Sequence, residues 1–206
     1  YLNQHHLIAD AWSTMLVYQQ VASEYAALAH GSPARDRLEP YYSTAAALEK
    51  HFASQSEARE YWSQRLGSRD RTIPLYGRTG KPTDTKSRRL TLELDDGQSR
   101  ALNRLCTEDG FLSLSPDLSR FTVMAAALLS WLHRISGTHG VGFDTPVAGR
   151  PTAGSRNSVG LFIELFPFSV TVDPRDSFRK LGAKCLEEAQ LFLRHAQPGT
   201  SAPSEG

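Results

Sequence analysis

Cysteine is almost missing from this sequence. Cys106 and Cys185 are the full complement, too few for a disulfide framework or a thiolate metal cage, and compatible with a reducing compartment. A dominant charge sign is missing too. Lys and Arg number 23 against 22 Asp and Glu, for a net +1, so no overall field draws the chain to nucleic acid or an anionic membrane. The longest predominantly apolar run, Phe121 to Leu132, falls short of the roughly 20 residues that a membrane helix requires. No basic segment followed by an apolar one opens the chain. What is present is core material. Forty per cent of residues are hydrophobic, with three Trp, nine Phe and seven Tyr, which excludes a disordered tail. A globular, cytoplasmic protein is expected, as one large domain or two small lobes.

The chain starts at Tyr1, and its densest cluster of reactive side chains stands at positions 5–10. A catalytic loop needs packed scaffold on both sides to hold its geometry. The chain therefore reads as a piece of a longer protein, inactive by itself.

Hydrophobic spacing organises the rest. Val17, Val21, Tyr25 and Leu28 predict a helix from Trp12 that ends at Gly31. A second helical region runs from Ser43 to Leu66, with Leu48 and Phe52 on one face. Within it Ser54 and Glu57 suggest a fresh start by a capping box, and Tyr61, Trp62 and Leu66 supply the new apolar face before Gly67. Residues 68–87 carry Pro and Gly without periodicity and read as a linker. RRLTLELD alternates Leu90, Leu92 and Leu94 with polar residues, predicting a strand with one buried face. Asp95 or Asp96 caps a short helix bearing Leu102 and Leu105, closed by Gly110. Phe121–Ile135 predicts a buried helix with His133 and Arg134 in its last turn, where cations complement the dipole. GVGFDTPVAGR reads as a strand entering a loop. VGLFIELFPFSVTV reads as a strand whose Pro167 implies a bulge or an edge. Phe178, Leu181, Cys185, Ala189, Phe192 and Ala196 predict a last amphipathic helix. The fold class is α/β.

The sharpest chemical cluster is His5, His6 and Asp10 in YLNQHHLIADAWS. Imidazole is the side chain best suited to moving protons near neutral pH, and a nearby carboxylate would fix its tautomer or hold the loop through another partner. Adjacent histidines ahead of a helix can equally be solvated or structural. His6 and Asp10 give only two metal ligands and no HExxH spacing exists, so no metal is expected. The glycines of GTHGVG follow a helix and enter a strand, the reverse of a phosphate cradle. No GxSxG elbow is present. Arg69, Arg71, Arg78, Lys81, Lys86, Arg88 and Arg89, against Asp70 and Asp84, make a basic stretch that reads as solvated surface, with docking of an acidic partner as the other reading.

HHLIADAWS resembles the HHxxxDG signature of nonribosomal peptide synthetase condensation domains, in the chloramphenicol acetyltransferase-like superfamily. Further segments follow in the same order. YWSQRLG is similar to the family's YW…L segment, and FTVMAAALLSWLHRISG to its long buried helix. GFDTPVAGRP resembles its VAGR loop and VGLFIELFPFSV its IGxFVNtLPlR strand. The resemblance covers nearly all 206 residues.

It implies a two-lobe chloramphenicol acetyltransferase-like fold, incomplete at both ends. Residues 1–67 would end the N-terminal lobe, 68–87 link the lobes, and 88–206 begin the C-terminal lobe. It implies an acyltransferase that forms an amide between a carrier-bound thioester and an acceptor amine. Partners would be peptidyl or acyl carrier proteins and neighbouring synthetase domains, with neither nucleic acid nor membrane. No cofactor is bound by the chain itself; the phosphopantetheine arm arrives on the carriers. His6 would deprotonate or orient the amine, with His5 and Asp10 beside it as architecture. Arg150 is the family's expected partner for the aspartate, its planar fork gripping the carboxylate with two bonds, next to Gly149. Ala11, Trp12, Ser13 and Glu164 are expected on the substrate side. Ala11 stands for the motif glycine, Glu164-Leu165 for the usual Asn-Thr, and Ser169 for the usual arginine. A non-catalytic docking relative and a free-standing ester- or amide-forming acyltransferase remain the alternatives.

Overall fold

The structure, a computed structural model, describes residues 2–31, 33, 37–53, 56–67, 76 and 88–200. Among these lie seven helices and two strands: α1 (Ala11–His30), α2 (Tyr41–Ala53), α3 (Ser56–Gly67), α4 (Asp96–Leu105), α5 (Pro116–Ser136), β1 (Gly140–Val147), α6 (Ala153–Arg156), β2 (Glu164–Thr171) and α7 (Phe178–His195). The strands pair in a two-stranded sheet, so the class is α/β. Contacts divide the chain into two compact units. One comprises Tyr1–Ser68, Thr145–Phe166 and His195–Gly206, the other Arg69–Asp144 and Pro167–Arg194. Within the first unit, Arg150 and Gly160 are bonding partners of Asp10 and α1, and His195 is one of α3.

In the first unit, Asp10 starts α1. Its backbone is extended and its carboxylate accepts the Ser13 N–H, satisfying an amide that the helix cannot. Gly31 closes the helix in the left-handed region at φ 68°, where glycine is nearly free of strain. The helix is where the spacing put it, but its expected apolar face is not covered. Val21, Tyr25 and Leu28 are exposed, while Ser13 and Leu16 are buried. Residues 10, 12 and 13 bond to the 150–160 segment, and burial follows that network and not the stripe. Leu48 of α2 packs with Phe162. Trp62 of α3 is fully buried beside Phe166, ring centres 5.1 Å apart, and its Nε1 donates to the carbonyl of His195 at 2.7 Å. Tyr61 stacks on the His195 ring at 4.1 Å. Ser54 of the expected capping box lies outside the described residues. So do the side chains of Phe52 and Leu66, and all of 68–87 except Tyr76.

In the second unit, Asp95 and Gln98 form a reciprocal capping box that opens α4. α5 starts at Pro116, ahead of the expected Phe121, since proline's missing N–H costs nothing in a first turn. Phe168 gathers Phe121, Phe143 and Phe192 around it at 5.2–6.0 Å. α7 buries Leu181, Cys185, Ala189 and Phe192 as its period requires; Phe178 is 40% exposed and Ala196 lies past the helix end. The strand expected at 88–95 is corrected by the structure. The segment is irregular, with Leu90, Leu92 and Leu94 all exposed. Alternation alone cannot make a strand, because the backbone needs a neighbouring ladder, and none of the described residues supplies one. β2 runs through Pro167, which a two-stranded ribbon tolerates on its unpaired side. The strand begins at Glu164, later than the alternation suggested, because the backbone of 160 and 162 is engaged by side chains of the site.

Candidate functional site

The site is built around one buried ion pair. Arg150 and Asp10 side chains are 2% and 3% exposed, and a single guanidinium nitrogen, Nη2, spans both carboxylate oxygens at 2.9 and 3.1 Å. The two bonds expected from the sequence are present, both made by one nitrogen. Nη1 turns away to the carbonyls of Ser155 and Ser158, because a buried guanidinium must satisfy donors on both arms. Nη2 also donates to Ser13 Oγ at 2.9 Å and to the Gly160 carbonyl at 3.0 Å. The guanidinium carbon lies over the Phe162 ring, 4.3 Å from its centre, a cation–π contact. The carboxylate receives the N–H and hydroxyl of Ser13 at 2.8 Å and the Phe162 N–H at 3.2 Å. Burial alone would push the Asp10 carboxyl upward and is the largest single influence. The donors from Ser13, Phe162 and Arg150 together outweigh it and hold the group below the usual aspartate range.

Gly149 makes the approach possible. Its φ is 62°, and a Cβ placed there would stand 2.0 Å from the Phe162 carbonyl oxygen. Beyond it, Thr152 and Ser155 form a capping box that starts α6, which presents the Ser155 carbonyl to Arg150. Trp12, 39% exposed, donates from Nε1 to the Arg156 carbonyl at 2.9 Å. The first residues of α1 are thus bonded to the 150–162 segment at several points.

Immediately ahead of this lock, residues 6–8 form a turn. His5 shapes it: its carbonyl accepts the Ile8 N–H at 3.1 Å and its Nδ1 accepts the Leu7 N–H at 3.1 Å. An Nδ1 that accepts carries no hydrogen, so the neutral ring holds its proton on Nε2. Gln4 is tied to Thr14 Oγ1 at 2.8 Å. His6 is exposed at the turn, and among the described residues its ring has no hydrogen-bond partner.

The expected site residues sort as follows. His5, His6 and Asp10 lie together with Arg150 and Gly149 in one unit. Asp10 is buried among its hydrogen-bond partners. Ser13, expected on the substrate side, is corrected: it is fully buried and joins Asp10, Arg150 and Gly160. Ala11 is exposed as the first residue of α1 with no left-handed backbone, so the methyl in place of the motif glycine carries no strain. Glu164 Oε1 accepts the Gly199 N–H at 2.6 Å, and Glu164 lines a cavity of about 300 Å³ with Tyr41, Leu48 and Phe162. Sequence reasoning missed Gly160 and Phe162, which supply backbone groups to the lock. The available signal was the IGxFVNtLPlR resemblance, whose G and F fall on Gly160 and Phe162; at Gly160 a Cβ would meet the Tyr41 ring at 2.2 Å. Among the described residues no three His, Cys, Asp or Glu groups are placed to hold a metal.

Comparison with known proteins decides what this lock belongs to. The family model "Condensation domain" matches residues 1–205. The chain belongs to the condensation-domain family. Relatives include an isonitrile lipopeptide synthase of Streptomyces coeruleorubidus, 27% identical over 95% of this chain. Another is a dimodular nonribosomal peptide synthase of Bacillus subtilis, 28% identical over 95% of the chain. The chain spans only 13% and 8% of those proteins. Among solved condensation domains, the first one of the calcium-dependent antibiotic synthetase superposes with a TM-score of 0.76 at 26% identity, over 94% of this chain and 42% of that one. The starter condensation domain of rhizomide synthetase has the same fold, with a TM-score of 0.73 at 23% identity, over 98% of this chain and 43% of that one. Condensation domains are acyltransferase-type enzymes that form amide bonds. No helix of the described residues is long and apolar enough to cross a membrane.

Proposed function

We propose that this chain carries the histidine-motif part of a nonribosomal peptide synthetase condensation domain. The reaction is amide formation between a carrier-bound acyl or aminoacyl thioester and the amine of an acceptor. The amine nitrogen bonds to the thioester carbon, the carbon–sulfur bond breaks, and the phosphopantetheine thiol leaves as the amine gives up a proton. The observation that supports this reading most is the Asp10–Arg150 lock, because it fixes the N-cap of α1, next to the turn that presents His6. His6 meets the acceptor amine, orienting it by hydrogen bonding or accepting its proton. His5 shapes the turn, Asp10 and Arg150 position it, and Ala11, Trp12 and Glu164 face the substrate region. The chain needs no resident cofactor, since the reacting arm comes on carrier proteins, which with neighbouring synthetase domains are the partners.

The test is product formation by the parent protein with carrier-bound donor and acceptor. Turnover that falls at least about a hundredfold in His6→Ala, the scale of acid–base assistance, supports the assignment. Equal turnover in both proteins removes His6 from the reaction. A parent that binds both carriers yet forms no product is a docking relative and not an enzyme.

A further inference from the structure

Away from this site, where α5 ends and β1 begins, two histidines stand together. His133 and His139 have ring centres 5.3 Å apart with planes inclined at 37°. Nδ1 of His133 lies 2.6 Å from the Thr138 carbonyl oxygen, and Nδ1 of His139 lies 2.9 Å from that of Val172. A carbonyl oxygen only accepts, so both Nδ1 atoms carry the hydrogen and both neutral rings keep a lone pair on Nε2. That is how metal-binding histidines are prepared, with the far ring N–H donated to a carbonyl that fixes tautomer and orientation. The spacing matches as well. Two imidazoles bound through nitrogens at about 2.0–2.1 Å on one tetrahedral ion have ring centres about 5 Å apart. Both side chains reach solvent, His133 at the wall of a cavity of about 300 Å³.

We propose that His133 and His139 form a two-histidine site for a divalent transition metal such as Zn²⁺, their Nε2 atoms converging on the ion and water filling its other positions. No third His, Cys, Asp or Glu among the described residues completes a set of three. Asp173 and Asp176 line the same cavity, but their carboxylates are engaged, the first by Arg175 and the second by Lys180 and Lys184. Arg134 faces the cavity too. With those carboxylates engaged and imidazole nitrogens as the donors, the site lacks the oxygen ligands that Mg²⁺ and Ca²⁺ want and suits the imidazole-seeking metals. The ion would join the end of α5 to the start of β1, and through the Val172 carbonyl to the segment after β2.

Zinc titration of the purified protein by calorimetry is the test, with His133→Ala, His139→Ala and a His5→Ala/His6→Ala control, since residues 5 and 6 are the chain's other adjacent histidines. One Zn²⁺ per chain, weakened at least about tenfold by either single change and unaffected in the control, supports the site. Unchanged affinity in His139→Ala, loss of binding in the control only, or no binding at all overturns it. Should a variant fail to fold, imidazole ¹⁵N spectra of the unaltered protein decide. Zn²⁺ must move the Nε2 signals of His133 and His139, and movement confined to other histidines overturns the proposal.

Discussion

Arg150 shows how one residue acquires several obligations at once. Its guanidinium serves Asp10, Ser13 and three backbone carbonyls while lying on Phe162. Removing one member of such a buried pair leaves an uncompensated charge, at a cost of about 3–5 kcal/mol. Arg150→Met should therefore lose stability on that scale in urea denaturation, and a loss below about 1 kcal/mol would show that the pair is dispensable. Lysine should not rescue it, since an ammonium cannot spread donors across carboxylate and carbonyls. Cys185 makes the opposite case, a reactive group silenced by its setting. It is fully buried, and burial first, with Glu188 adding, pushes its thiol up to about 12. Thiolate is the reactive form, so Cys185 in the folded protein should resist thiol-modifying reagents at pH 8. Rapid labelling of this residue, read by mass spectrometry, would contradict the burial.

At the scale of elements, local signals were legible where they satisfied themselves within a few residues. Asp10, Gly31, Asp95 and Gly137 bound α1, α4 and α5 because caps and left-handed closures are short-range physics. The 88–95 segment was misread because a strand depends on a neighbour that no local pattern reveals. The outer face of α1 was misread for the same reason, as spacing says which side is apolar but not what covers it. The VAGR loop is an element whose shape rests on one glycine. In Gly149→Ala the new Cβ would meet the Phe162 carbonyl, a backbone atom that cannot swing aside, in a residue already at φ 62°. We expect a loss of at least about 1–3 kcal/mol from the backbone strain alone, measured as a lowered urea midpoint. A midpoint within error of the parent would mean that the loop relaxes at no cost.

For the molecule as a whole, the histidine motif and its aspartate were visible in the sequence, while the partners that hold them were visible only through family resemblance. Residues 10 and 150 are far apart in the chain, and nothing in composition or periodicity joins them. Their union has a consequence for acid stability. Asp10 is held below the usual aspartate range, Asp173 is drawn to about 2 by Arg175, and Asp176 is lowered by Lys180 and Lys184. A carboxylate with a depressed folded pKa contributes stability fully above its unfolded value, about 3.9, and that contribution vanishes as pH falls through the folded value. All three therefore act in one direction, weakening the fold as the solution is acidified below about pH 4. The Asp10 and Asp176 side chains are each 3% exposed, so these two should dominate, the more exposed Asp173 pair being screened. In Asp10→Asn the carboxylate is gone at every pH. The stability gap between parent and variant should stay constant from pH 5 to 7 and narrow steadily below about pH 4. Melting temperatures across that range measure it. A gap that is still full at pH 2, or that already closes between pH 7 and 5, would place the pH dependence in other groups and remove Asp10 as the source of acid sensitivity.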